Sequence, residues 1–335
     1  MRTSDFDYDL PDHLIAYYPV KDRTQSRLII VDRNKRSFTH KYFYDLIEYL
    51  NPGDLLLLNN TKVIPARLIG SSKNRKNIEI LLVNRIDDLN WEILLKKPKD
   101  KLIVDFEGGV SGEVKKSEEN IWIIKFNKPI DSIIWDIGHM PLPPYIERNA
   151  EDEDKLTYQT VFAEIEGAIA APTAGLHISE DFLEKISEKG VEIQYITLHV
   201  GIGTFRPVKG EFIEEHKMHS EYMNINDEVC KSINKAKTEG RRVVAVGTTV
   251  VRAVESANSI NNMIKPTSGS TNLFIKPPYK FKFIDALITN FHMPRSTLLM
   301  LVSAFADKDL ILSAYREAIN KNYRFLSYGD AMFIV

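Results

Sequence analysis

The stretch RRVVAVGTTVVRAVES, residues 241–256, decides how this chain folds. Its first half is an apolar run of β-branched residues that stops at Gly247. Thr248 and Thr249 then cap a helix whose first turn carries Arg252. Strand, glycine turn and helix in that order are the repeating unit of an α/β sheet. The same rhythm runs outward in both directions. Upstream, Ser179 caps a helix with Phe182, Leu183 and Ile186 on one face and Gly190 as its stop, and the strand VEIQYITLHV (191–200) follows. Asn226 caps another helix, with Val229, Ile233 and Ala236 inward and Gly240 as terminator. Downstream, FIDALITNF (283–291) reads as a strand leading into the helix STLLMLVSAFA (296–306). A further helix spans roughly Leu310 to Asn320, and the chain closes on AMFIV. The expected architecture is a large mixed α/β domain with a substantially parallel sheet.

The texture differs before residue 145. From Asp54 to about Phe126 the chain is a series of short apolar or alternating runs separated by charged or Gly/Asn-rich turns. That spacing predicts a small antiparallel β-barrel. The proline-rich HMPLPPYI (139–146) and the acidic, solvated run NAEDEDK (149–155) mark its exit. The barrel is expected over 56–144, inserted into an α/β catalytic domain made of 1–55 and 145–335. A helix-like stretch runs from Tyr42 to Leu50.

Composition bounds the function. Of 335 residues, 44% are hydrophobic and 27% charged, as in a folded domain with a sizeable core. With 44 Lys+Arg against 46 Asp+Glu the formal charge is −2, so any nucleic-acid contact must come from local basic patches. Such clusters occur in the β region: Lys73, Arg75 and Lys76; Lys96, Lys97, Lys99 and Lys101; Lys115 and Lys116. Sharing one face, they would follow an RNA backbone; otherwise they are solvated hairpin edges. The single Cys230 excludes an intramolecular disulfide and a Cys-rich metal knuckle. The N-terminus lacks the apolar stretch of a secretory signal, and the most apolar run, around Leu298 to Ala306, is far short of a membrane span. A cytoplasmic protein is expected.

Ligand sites of open α/β sheets gather at the carboxyl ends of the strands, so polar residues there are the candidates. AAPTAGLH (170–177) presents Thr173 and His177 ahead of a helix. TLHVGIGTFRPV (197–208) offers His199, Gly201, Gly203, Thr204, Phe205 and Arg206; its glycines admit a ligand close to the backbone, and the guanidinium can grip a carboxylate or phosphate. It lacks the full GxGxxG pattern. HKMHSEY (216–222) supplies His219 and Glu221 for acid–base or hydrogen-bonding roles; without HExxH or a Cys cluster no metal is expected. At Gly247, Thr248, Thr249 and Arg252, backbone amides, hydroxyls and a guanidinium converge on an anion. Asn290 and His292 sit at a strand end, and Tyr328 and Asp330 form the turn before the last strand.

Taken together, these motifs resemble the S-adenosylmethionine:tRNA ribosyltransferase-isomerase family of queuosine synthesis. The resemblance covers essentially the whole chain: DYDLP (7–11), QSRLIIVDR (25–33), PGDLLLLNNTKVIPARL (52–68), HMPLPPYI, YQTVFA (158–163) and every strand-end motif above. Two departures are local: the family usually shows glycine in the segment of Pro278 and often after SAFA, where Asp307 stands here. The resemblance implies an α/β domain with an inserted β-barrel. It implies that S-adenosylmethionine is a consumed substrate and not a cofactor. Its ribosyl group would be transferred and isomerised onto 7-aminomethyl-7-deazaguanine at the wobble position of the Asp, Asn, His and Tyr tRNAs, by a monomer. Under that reading His199, His177 or His219 is the general base, and Glu221 or Asp330 accepts the amine proton. The methionine carboxylate goes to Arg252 with Gly247, Thr248 and Thr249, or to Arg206, and Tyr328 or Phe205 holds the extruded base. The alternatives are an S-adenosylmethionine-dependent tRNA methyltransferase and a non-catalytic tRNA-binding protein.

Overall fold

The computed structural model describes residues 1–117, 121–201, 203, 208 and 210–335. Its centre is the strand Leu55–Asn59, whose five residues are all buried. A continuous apolar run is what a strand covered on both faces requires. Leu55 and Leu57 join one core with the helices Asp227–Thr238, Thr297–Ala306 and Lys308–Asn320, while Leu56 and Leu58 join a second core with the helix Glu180–Glu188. Parallel neighbours flank this strand: Glu192–Leu198 on one side and Val243–Val246 on the other, the latter parallel in turn to Ala286–Asn290. Antiparallel strands extend both edges, so the nine-stranded sheet is mixed with a parallel centre.

Three capping residues are those the sequence indicated, whereas Thr248 and Thr249, expected to cap the helix Thr248–Ser256, are its first two residues behind Gly247 and no side chain caps it. Ser179, Asn226 and Ser296 accept hydrogen bonds from Phe182, Val229 and Leu299 N–H respectively. The helix expected over Tyr42–Leu50 is shorter: Ser37–Tyr42 is an edge strand, and only Leu46–Tyr49 makes an α-turn. That edge strand is largely exposed, so its sequence shows no clean alternation to betray it.

The second body is an antiparallel barrel of six strands, Arg67–Ser72, Arg75–Arg85, Asn90–Leu95, Leu102–Asp105, Ser111–Lys116 and Trp122–Phe126, closed where Ser71 pairs with Asp105. It has its own apolar core. The expected boundary after residue 55 falls inside the strand Leu55–Asn59, which lies wholly in the large sheet. Among the described residues no helix is long and apolar enough to cross a membrane.

Candidate active site

The parallel strands end side by side, at Asn59, Leu198, Val246 and Asn290, and two cavities open there. The inner one is lined by Thr173, Gly247, Thr248, Thr249, Asn290 and His292 among others. The outer one is a cleft between the sheet and the barrel, lined on one side by His199, Gly201, Glu221 and Tyr222 and on the other by Asn84, Arg85 and Trp91. Val200 borders both.

His199 follows the strand Glu192–Leu198 and points at the cleft. Its Nδ1 is 2.8 Å from Thr61 Oγ1, and its ring stacks on Tyr222 with centroids 5.4 Å apart. Burial lowers its pKa, so it is a neutral imidazole near pH 7. Gly167, at φ +143°, lies directly against the ring: a Cβ there would stand 2.7 Å from Nε2. The bare backbone is therefore required for the imidazole to occupy this place.

Asn59 ties the cavities together. Its Oδ1 accepts from Thr61 and Leu198 N–H, and its Nδ2 donates to Leu198 C=O at 2.9 Å and Thr249 Oγ1 at 3.3 Å. Asn59 and Thr61 were not singled out individually from the sequence. The signal was two asparagines ending an apolar run, since an amide at a buried strand end needs a partner.

Gly247, at φ +96°, makes the turn into the helix Thr248–Ser256. The first bond of that helix runs from Val251 N–H to Gly247 C=O, leaving the amides of Thr248 and Thr249 with no partner among the described residues. Thr173 joins them at the cavity wall.

Several expected residues take other roles. His177 lies behind the inner cavity, 5% exposed, with Nδ1 2.7 Å from Ser26 Oγ and Nε2 3.2 Å from Asn290 Nδ2. Burial pushes its pKa down to about 4, so it is a neutral orienting group and cannot serve as a solvent-linked base. His292, buried with Nε2 2.8 Å from Thr289 Oγ1, is pushed down to about 3 by the same cause. Arg252 does not border the inner cavity: it is buried and paired with Glu221, and its Nε donates to Leu273 C=O at 3.2 Å. A guanidinium one turn into a buried helix needs a carboxylate, and here the protein supplies it. Glu221 also accepts from Gly201 N–H at 2.9 Å.

Asp330 is a structural clasp. Its two oxygens accept from Arg27 and Arg324 N–H at 2.8 and 2.7 Å, and burial raises its pKa. Tyr328 is 4% exposed and donates to Asp154 Oδ1 at 2.9 Å, so its ring is not a platform for a base. Tyr222, 43% exposed beside His199, is the ring the cleft presents. His219 is exposed and packs over Gly203, filling the space that glycine was expected to leave for a ligand. Thr204, Phe205 and Arg206 lie outside the described residues.

The basic clusters of the barrel do share a place. Because the strands alternate in direction, the connections 72–75, 95–102 and the start of 116–122 all fall at the barrel end opposite the cleft. Lys73, Arg75, Lys99 and Lys101 border one depression there, and Arg75 donates to Lys96 C=O at 3.2 Å.

Comparison with known proteins agrees with this geometry over the full length. The family described as "Queuosine biosynthesis protein" matches residues 3–334. The chain is 53% identical over 341 residues to the S-adenosylmethionine:tRNA ribosyltransferase-isomerase of Sulfurihydrogenibium sp. (strain YO3AOP1), covering 100% of both. It is 51% identical over 342 residues to the protein of that name from Clostridioides difficile (strain 630), again covering 100% of both. The crystal structure of S-adenosylmethionine tRNA ribosyltransferase from Thermotoga maritima is similar at 38% identity and a TM-score of 0.58, over 99% of this chain and 100% of that one. Mixed sheet, inserted barrel, paired cavities and full-length match converge on one conclusion: this chain belongs to the queuosine biosynthesis protein family.

Proposed function

We propose that this chain transfers and isomerises the ribosyl moiety of S-adenosylmethionine onto 7-aminomethyl-7-deazaguanine at the wobble position of tRNA; its relatives are named for ribosyl transfer and isomerisation between S-adenosylmethionine and tRNA. The products are epoxyqueuosine-tRNA, adenine and methionine. The observation that carries the reading is His199, a neutral imidazole beside Val200, where the inner cavity meets the cleft between sheet and barrel.

The sulfonium acidifies the C5′ hydrogens and is a good leaving group. His199 removes a C5′ proton, the sugar ring opens and adenine departs. The aminomethyl nitrogen of the tRNA base then attacks the unsaturated sugar, and closure to the epoxide expels methionine. Of the two candidate carboxylates for the amine proton, Glu221 borders the cleft and Asp330 is clasped by amides. Tyr222 offers a face for the extruded base. The methionine end lies in the inner cavity, with its carboxylate at the start of the helix Thr248–Ser256.

The substrates are the anticodon loops of the Asp, Asn, His and Tyr tRNAs, and the enzyme acts as a cytoplasmic monomer with S-adenosylmethionine consumed. The basic barrel end supplies phosphate contacts whose loss weakens tRNA binding most at low salt.

Product analysis tests the reading: adenine and methionine are expected. Release of S-adenosylhomocysteine would mean methyl transfer, and salt-dependent tRNA binding without turnover would mean a non-catalytic binder. His199→Ala is expected to fold normally and to lose at least about 100-fold in turnover. Near-wild-type turnover would remove His199 from the role of base.

A further inference from the structure

We propose that the inner cavity is an amino-acid subsite in which Asn290 Oδ1 accepts a hydrogen bond from the α-ammonium of the methionyl group, opposite the carboxylate held at the start of the helix Thr248–Ser256. The inference rests on the functional reading above and adds to it which group recognises the amino end, and why.

The Leu326 carbonyl can only accept, and Asn290 Nδ2 donates to it at 3.1 Å, which fixes which way the amide points. The same Nδ2 lies 3.2 Å from His177 Nε2, so that nitrogen is the acceptor and the ring proton sits on Nδ1. Nδ1–H then donates to Ser26 Oγ at 2.7 Å, and the Ser26 hydroxyl donates to Arg23 C=O at 3.1 Å. Every member of this chain has its direction set by a backbone carbonyl at one end or the other. What is left over is Asn290 Oδ1, on a residue 2% exposed, with no hydrogen-bond partner among the described residues. A buried acceptor without a donor is costly, and Asn290 is on the lining of the cavity that a ligand donor would enter.

A second acceptor stands beside it. The Thr289 hydroxyl donates to Asn290 C=O at 3.3 Å, so it accepts from His292 Nε2–H at 2.8 Å. His292 Nδ1 is thereby left unprotonated on a ring that also lines the cavity. The same lining carries donors, the amides of Thr248 and Thr249, which have no partner among the described residues. Among the described residues no Asp, Glu, Lys or Arg lines the cavity, which suits an occupant that balances its own charge. An α-amino acid end does so, ammonium toward the acceptors and carboxylate toward the helix start. Val200, Met293 and Leu298 are apolar company for its side-chain methylenes. Adenine also offers a donor and an acceptor edge, but it carries no anion for the helix terminus.

The test is calorimetric binding of S-adenosylmethionine and of its deamino analogue, in which hydrogen replaces the α-ammonium, to the full chain. The wild type is expected to bind the analogue at least about tenfold more weakly. In Asn290→Ala the two ligands are expected to bind within about twofold of each other, while affinity for free adenine stays at the wild-type value. If Asn290→Ala does not fold, the ratio is read in Asn290→Ser, with a fall below about threefold expected. A wild-type ratio near one overturns the inference and leaves the functional reading standing, as does a tenfold ratio retained in the variants, or loss of adenine affinity in its place. Failure of S-adenosylmethionine to bind the wild type overturns both.

Discussion

Asp307 sits at φ +117°, a backbone conformation that costs a side-chain-bearing residue about 1–3 kcal/mol. Glycine, which the family pattern often shows here, would be relaxed. Asp307 gives something in return: its carboxylate caps the helix Lys308–Asn320 by accepting from Leu310 N–H at 3.0 Å. Glycine loses only a few tenths of a kcal/mol as a cap, whereas alanine loses about 1 kcal/mol and keeps the strain. Asp307→Gly is therefore expected to raise the urea midpoint by the equivalent of about 1 kcal/mol, and Asp307→Ala to lower it by a similar amount. A midpoint for Asp307→Gly below that of the wild type would show that the conformation carries no strain. Legibility at this scale is uneven for the same reason. Residue type announced that His177, Tyr328 and Asp330 were polar groups near strand ends. It could not announce that Ser26, Asp154 and the Arg27 amide, distant in sequence, and the nearby Arg324 amide already satisfied them.

Elements were more readable than their contacts. Ser179, Asn226 and Ser296 mark helix starts because a short polar side chain satisfies amides that the helix itself leaves open. The barrel strands were legible from their alternation. Which strand pairs with which is set by packing across long sequence separations, and the Arg252–Glu221 pair shows the consequence. It joins the helix Thr248–Ser256 to the start of the strand Glu221–Ile225, both side chains no more than 5% exposed. Removing the guanidinium takes its paired cation from a buried carboxylate, so Arg252→Met is expected to cost about 3–5 kcal/mol in urea denaturation. Replacing both by methionine removes the charge as well as its partner and is expected to recover much of that loss. Strict additivity of the two single substitutions would show that helix and strand are not coupled through this pair.

At the scale of the whole molecule, the insertion of a barrel into an α/β body was visible as a change of sequence texture, and its boundary was not. Leu55–Asn59 reads like its barrel neighbours because an apolar run looks the same in either setting, yet it is the centre of the large sheet. Assembling the molecule around that strand buries His177 and His292, each 8% exposed or less, and at His177 the charges of Arg23 and Arg324 add to the effect of burial. In the unfolded chain both imidazoles titrate near 6.5, whereas in the folded protein burial holds them at about 4 and about 3. Between those limits the unfolded chain takes up protons that the folded one refuses. The folded-state values are depressed, so the contribution is fully present above about pH 6.5. It is lost as pH falls, levelling off below about 4 for His177 and about 3 for His292. Each group is worth on the order of 3 kcal/mol across its range, enough to consume much of a domain's net stability. Urea midpoints measured from pH 7.5 down to pH 4 are therefore expected to fall steadily below pH 6.5. His292→Gln, which lacks the titrating group, is expected to show a shallower slope whatever its stability at pH 7.5. A variant slope equal to that of the wild type would mean that His292 takes up its proton as readily inside the fold as outside it.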